Sequence, residues 1–252
     1  MSETSSALTQ GSPQAAPARL TLQSLSQEHD SWLHFVALSG EEGRDWAESF
    51  RQPGNSAVTR AAVASLGRLH RRSFAEGLAL LEEAEAGLEA VRATAEASIV
   101  LALESIYFPL RAYYEYCVEA WDEALASLDR SDRTVAAAIA RRPFLMPIAY
   151  RCSEFQLHRA RIARNRGRWS EMRRQIDLAW EMMEGRQPLC ERPDGGRVTV
   201  ADLVAFFGSL PVADPVAAEY LRGLTDVEMR RELFDRFVSR IYALPGFVIP
   251  CP

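Results

Sequence analysis

The chain has 252 residues, of which 48% are hydrophobic and 25% are charged, and its net charge at pH 7 is −5. Such a chain can bury one substantial core, and its negative charge argues against nucleic acid or an anionic membrane as a partner of the whole surface. All 29 basic residues are arginine, which excludes phosphate-loop, Schiff-base and pyridoxal-phosphate enzymes because their chemistry needs a lysine amine.

The N-terminal segment is rich in Ser, Thr, Gln, Ala and Pro, so residues 1–20 are predicted to form a disordered tail. The chain has neither a secretory signal nor a run of about 18 apolar residues, which predicts a cytoplasmic protein without a membrane partner. Its cysteines are too far apart in sequence for a zinc or redox motif, and are predicted to be reduced; they are Cys117, Cys152, Cys190 and Cys251.

Residues 24–252 are predicted to form a single all-α domain. Apolar residues at helical spacing indicate one or two short helices between residues 24 and 50, and a Gln-Pro-Gly-Asn run then breaks them. The following stretch is rich in Ala, Leu, Glu and Arg, which favours helix and makes sheet improbable. We predict helical hairpins at about 56–90, 96–135 and 145–184, helices within about 199–243, and an apolar segment at 245–252 that packs on the body or meets a partner.

An internal repeat defines these hairpins. Phe74, Trp121 and Trp169 are each followed two residues later by Glu and then by a mostly small residue, and apolar or small residues continue at helical spacing. The aromatic residues are separated by 47 and 48 residues, about the length of two helices with their connections. The chain therefore repeats a two-helix unit about three times.

The run Trp121–Leu125 resembles the start of the second helix of a tetratricopeptide repeat, and Gly167 with the following Arg and Trp resembles the turn before it. The resemblance covers only the turn and second helix of each unit. Arg111 and Arg159 replace apolar residues in the first helices, and the period is longer than in that family. It implies an α-solenoid or compact helical bundle, with Trp121 and Trp169 packed between the two helices of their own units.

Capping residues predict where the last helices begin. Thr199 with Asp202 is expected to cap one helix, Asp214 before a proline begins a second, and Thr225 with Glu228 is a candidate capping box for a third that ends near residue 243. An Arg-Pro-Asp-Gly-Gly-Arg sequence at 192–197 predicts a tight polar turn before them.

No recognisable active site or metal site is present. The chain lacks a Gly-x-Ser-x-Gly motif and a Glu-x-x-His motif. Glu154 and His158 are four residues apart on one predicted helix, and we interpret them as a surface pair that supports the helix. We therefore expect no catalytic residues, no metal and no cofactor.

Charge is distributed unevenly between the predicted hairpins. Residues 151–174 contain eight arginines and two glutamates, whereas residues 76–96 contain six glutamates and one arginine. One interpretation is that exposed faces of neighbouring units neutralise one another. The other is a recognition face for a partner rich in carboxylates or phosphates, because Arg binds both bidentately.

The predicted function is that of a non-enzymatic interaction scaffold or adaptor with a concave helical groove. The alignment of the units places Tyr113 and Tyr116 beside Arg161 and Arg164, and these four residues are the candidate binding site for another protein, through an acidic segment of that partner. Two alternatives remain: a helical immunity-like or antitoxin-like protein that neutralises one partner, and an enzyme or small-ligand binder with a pocket between helices.

Overall fold

The computed structural model describes residues 31–211 and 214–242. Almost all of them are helical, which confirms the predicted all-α class. The predictions for the tail at 1–20 and the apolar segment at 245–252 lie outside the described residues. The helices are α1 Ser31–Leu38, α2 Glu41–Phe50, α3 Pro53–His70, α4 Phe74–Arg92, α5 Ala97–Cys117, α6 Trp121–Arg141, α7 Arg151–Asn165, α8 Trp169–Met183, α9 Val200–Ser209, α10 Pro215–Thr225 and α11 Val227–Tyr242.

Two connections have structure of their own. Pro143–Tyr150, between α6 and α7, forms a 3₁₀ helix. The polar turn at 192–197 joins two short antiparallel strands, β1 Cys190–Glu191 and β2 Arg197–Val198. In the described residues no helix is both long and apolar enough to cross a membrane.

Helices α3 to α8 form three hairpins: α3–α4, α5–α6 and α7–α8. Helix α5 packs against both helices of the first hairpin, whereas the third hairpin meets the second mainly through α6 and α7. The backbones of α3 and α5 therefore lie closer together than those of α5 and α7. This wider spacing leaves room for side chains between α5 and α7.

The three hairpin turns have the same backbone geometry. Arg72, Glu119 and Gly167 follow α3, α5 and α7 and have left-handed φ angles of 60°, 62° and 70°. In each turn this residue donates to the carbonyl three positions earlier, and the next residue donates to the carbonyl five positions earlier. These two bonds close a Schellman motif at each helix end. The sequence period of 47 and 48 residues thus recurs as a repeated turn.

The aromatic residues after these turns do not all pack as predicted. Trp121 is half-buried, and its ring lies 5.5 Å from that of Tyr116. Trp169 is 59% exposed, so the prediction that it packs between α7 and α8 is wrong. The repeat places Arg164 where the second hairpin has Tyr116, and Met172, buried, where it has a small alanine. The third hairpin therefore lacks both the aromatic partner and the free space for an indole.

The helices outside the hairpins pack against one another although they are far apart in sequence. The ring of Phe35 in α1 lies 4.9 Å from that of Phe207 in α9 and 4.5 Å from that of Tyr220 in α10. His34 Nε2 lies 2.8 Å from the Asp214 carboxylate. Helix α1 is therefore held in place by residues about 170 to 190 positions later in the sequence.

Two of the three predicted caps are confirmed. Thr199 and Asp202 form the reciprocal capping box of α9, and Asp214 accepts from a backbone N–H in the first turn of α10. The prediction for α11 is wrong. Asp226 accepts from the backbone N–H three residues later, whereas the Thr225 hydroxyl donates back to carbonyls of α10. Thr225 belongs to the end of one helix and Asp226 to the start of the next.

Substitution at the repeated turn should change stability through backbone strain alone. A Cβ atom at Gly167 would meet no heavy atom within 4 Å, so Gly167→Ala adds only the left-handed penalty of an L-residue. We expect the free energy of unfolding, measured by urea denaturation, to fall by about 1 kcal/mol. Glu119→Gly relieves the left-handed strain at this position and should raise the free energy of unfolding. The gain should stay below ~1 kcal/mol, because glycine loses more chain entropy on folding, which offsets part of it. Unchanged stability in Gly167→Ala would show that the turn does not need this conformation.

Candidate functional site

A small cavity lies between α5 and α7, with α6 as its floor. Its accessible volume is about 20 Å³, enough for about one water molecule. Three of the four residues predicted from the sequence line it, namely Tyr113, Tyr116 and Arg161. The remaining lining residues are Pro109, Ala112, Leu128, His158 and Ile162.

Pro109 explains how α7 is positioned against α5. It lies inside α5 and has no backbone N–H, so the Ser105 carbonyl one turn earlier lacks its helical donor. Arg151, the first residue of α7, supplies the missing donor: its Nη1 lies 3.1 Å from the Ser105 oxygen. This bond fixes the start of α7 beside the middle of α5.

A row of aromatic rings runs from the first hairpin into the second, near the turns. The Tyr113 ring lies 5.6 Å from that of His70 in α3 and is stacked on Tyr116 with a ring separation of 6.2 Å. Tyr116 in turn contacts Trp121 of α6, and its hydroxyl accepts from Asn165 Nδ2 of α7 at 3.1 Å. The row thus reaches the third hairpin through a hydrogen bond. Burial raises the pKa of Tyr116 to about 12, so its hydroxyl stays protonated at neutral pH.

The two arginines of the predicted site are buried. Arg161 and Arg164 are each only 8% exposed, although the sequence interpretation placed them on an open groove. Arg161 lines the cavity, and its Nη1 lies 3.4 Å from His158 Nδ1. Both guanidinium groups act on the Tyr116 hydroxyl electrostatically and oppose the effect of its burial. The two arginines thus contribute positive charge beside Tyr116, and removing these side chains affects packing as well as charge.

Other arginines of the basic stretch are paired within the protein. Arg159 lies 2.7 Å from carboxylate oxygens of both Asp129 and Asp132, and Arg166 lies 2.6 Å from Asp122. All three carboxylates belong to α6 rather than to the acidic stretch at 76–96. Ion pairs within the protein therefore neutralise some of the arginines of residues 151–174. The carboxylates come from α6 alone and not from exposed faces of the whole neighbouring unit.

Glu154 and His158 are half-buried and not the surface pair that the sequence suggested. Burial, with help from the nearby Arg161, lowers the pKa of His158 to about 3. Burial raises the pKa of Glu154 to about 7, against the attraction of Arg151. His158 is therefore neutral at physiological pH, with Nδ1 facing the Arg161 donor and the proton on Nε2. His158 and Pro109 are the site residues that sequence reasoning missed.

Within the described ranges, no three His, Cys, Asp or Glu side chains are grouped so that they could hold a metal ion. Comparisons of the chain with known protein families, curated proteins and solved structures found no match. A functional proposal therefore rests on the geometry and chemistry of the site itself.

The pKa shifts of Glu154 and His158 predict opposite effects of pH on stability. Between about pH 3 and 6.5 the unfolded chain binds a proton at His158 that the folded protein does not, so stability rises with pH. Between about pH 4.5 and 7 the folded protein keeps a proton on Glu154 that the unfolded chain has lost, so stability falls with pH. The two contributions oppose each other between about pH 4.5 and 6.5.

Glu154→Gln should remove the second contribution. Compared with the wild type, we expect the free energy of unfolding of this variant to rise more steeply with pH between about 4.5 and 6.5, by at most ~1.4 kcal/mol per pH unit. Urea denaturation at several pH values in this range measures the slope. His158→Gln is the matched control, and its slope should change in the opposite direction. Parallel curves for all three proteins would contradict the assigned shifts.

Proposed function

We propose that the protein is a non-enzymatic cytoplasmic interaction protein that binds an acidic segment of a partner protein. The binding surface is the Tyr–Arg site, which comprises Tyr113, Tyr116, His158, Arg161 and Arg164. The observation that carries the proposal is the junction of a tyrosine pair with two buried arginines between neighbouring hairpins. The resemblance to tetratricopeptide repeats, which bind proteins, is consistent with this role.

The chemistry of the site favours a carboxylate. The described lining of the cavity contains a guanidinium group, a neutral imidazole and two phenol rings, but no acidic side chain. A guanidinium group binds a carboxylate through two parallel hydrogen bonds, and the interaction strengthens where water is excluded. Tyrosine adds contact area at a low cost in side-chain entropy, which is why it is frequent at the centre of protein interfaces.

The size of the cavity favours a protein segment over a small molecule. Space for about one water molecule does not hold a substrate or cofactor. A Glu or Asp side chain from a partner can instead insert its carboxylate toward Arg161 while the partner backbone stays outside, against Tyr113. The proposed partner segment therefore carries at least one acidic residue that acts as the anchor.

Photo-crosslinking in the native host tests the proposal. The photoreactive residue p-benzoylphenylalanine replaces Tyr113, and in the control it replaces Glu123, an exposed residue of α6. We expect the variant at position 113 to capture a protein, with the crosslink in an acidic segment, and the control variant not to capture it. A crosslink confined to a neutral or basic segment, or equal capture by both variants, would contradict the proposal.

The captured segment, made as a synthetic peptide, provides a quantitative prediction. Arg161→Met keeps much of the buried side-chain volume but removes the charge, so we expect the peptide to bind about ten- to a hundredfold more weakly, as loss of a charge-assisted hydrogen bond implies. Added salt should weaken binding to the wild type more than to the variant. Arg173→Met, at an exposed position of α8, is the control and should leave the Kd nearly unchanged. An equal effect of both substitutions would exclude Arg161 as the anchor.

A further inference from the structure

Trp169 is the largest exposed apolar side chain among the described residues. Trp169 is the first residue of α8, at the turn of the third hairpin, and it is 59% exposed. The other large apolar residues that are exposed in the described ranges are valines, which are much smaller. A tryptophan left in water forgoes a large part of its hydrophobic stabilisation. A segment that packs on the indole would recover this stabilisation, and the direction of α11 indicates which segment can reach it.

Helix α11 packs against both α7 and α8, and its chain direction is opposite to that of α8. At its start, Arg230 Nη1 donates to the Met183 carbonyl at the end of α8, at 2.6 Å. One turn later the ring of Phe234 lies 4.9 Å from that of Trp180. Later residues of α11 therefore contact earlier residues of α8.

The register of the two helices continues to the last described residues. Ile241 is fully buried and belongs to the same apolar cluster as Ile176 and Met172 of α8. From Phe234 to residue 242, α11 advances about 12 Å, and from Trp180 back to Trp169, α8 extends about 16 Å. These two lengths differ by less than one helical turn, so an α11 that follows the axis of α8 ends close to the level of Trp169.

The sequence that follows is suited to cover an apolar side chain. Residues 243–252 contain no charged residue, and Phe247, Val248 and Ile249 are consecutive between Pro245 and Pro250. The two prolines disfavour a continued helix. The five residues from 242 to 247 span up to about 17 Å when extended, more than the remaining distance along the helix axis.

We propose that the segment 245–250 docks on the exposed face of Trp169, with Phe247 and Ile249 against the indole. The segment of this same chain is preferred over a partner because its attachment point holds it beside the indole at a high effective concentration. Apolar contact without charge pairing matches the composition of the segment. The docked segment would cover the third hairpin at its turn.

The rate at which N-ethylmaleimide modifies Cys251 tests this contact, since Cys251 lies two residues after Ile249. Mass spectrometry of the digested protein separates this thiol from Cys117, Cys152 and Cys190. If docking shields the segment, Trp169→Ala should raise the rate of Cys251 modification about tenfold. This is the factor expected when a contact worth ~1.4 kcal/mol is lost. Phe247→Ser should raise it similarly, and the double variant should show little further increase. Val227→Ala removes an exposed apolar residue at the other end of α11 and is the control.

Three outcomes would overturn the proposal. A Cys251 rate that changes less than twofold in Trp169→Ala would show that the segment does not rest on the indole. An equal acceleration by Val227→Ala would show that loss of any exposed apolar residue loosens the segment. A wild-type rate that rises on dilution of the protein would show that a second copy of the chain supplies the cover.

Discussion

The repeated left-handed turn is the constraint on which the arrangement of the hairpins depends. Because Arg72, Glu119 and Gly167 end α3, α5 and α7 with the same two hydrogen bonds, each second helix leaves its turn in the same direction. Positions that are equivalent in the repeat then occupy similar places relative to their own turn. Two equivalent positions near the end of each first helix change from leucine to tyrosine to arginine: Leu66 and Leu69, then Tyr113 and Tyr116, then Arg161 and Arg164.

This change of residue type along an otherwise repeated surface creates the Tyr–Arg site. Leu69 is buried and Leu66 packs against the core, but arginines cannot do the same without losing hydration. The wider spacing between α5 and α7, held by the bond from Arg151 to the Ser105 carbonyl, accommodates them together with His158. Arg161 therefore stays close to the surface of a cavity instead of in the core. A desolvated charge in such a position interacts strongly with a carboxylate that reaches it.

The fold class and the repeat could be predicted because they depend on local composition and spacing. Helix-forming residues, turn glycine and aromatic residues at a fixed period are all readable along the chain. The exposure of Trp169 could not be predicted in the same way. It depends on Arg164 and Met172, which stand where the second hairpin has Tyr116 and an alanine, and on what covers the hairpin turn. The effect of Pro109 on its helix also depends on a distant residue. A proline inside a helix is tolerated here because a donor 42 residues later in the sequence, Arg151, satisfies the freed carbonyl.

That Tyr113, Tyr116 and Arg161 lie close together could be predicted from the sequence, because equivalent positions of neighbouring units lie side by side in a stacked array. Their burial was not predictable, because it depends on the distance between α5 and α7 and on which arginines α6 neutralises. Asp122, Asp129 and Asp132 pair with Arg159 and Arg166, two of the eight arginines of the basic stretch. Charge counts along a sequence do not show which arginine meets which carboxylate.

The contact of α1 with α9 and α10 has a consequence for synthesis of the protein. The hairpins join neighbouring segments and can form as soon as they leave the ribosome, but His34 and Phe35 meet their partners only after residues 207 to 220 are made. At typical translation rates of about 5 to 20 residues per second, α1 waits roughly 10 to 40 s for these partners. During that interval the apolar face of α1 is available to chaperones. The closing contact also fixes the length of the array, since a hairpin inserted between α3 and α8 would separate the two ends that must meet.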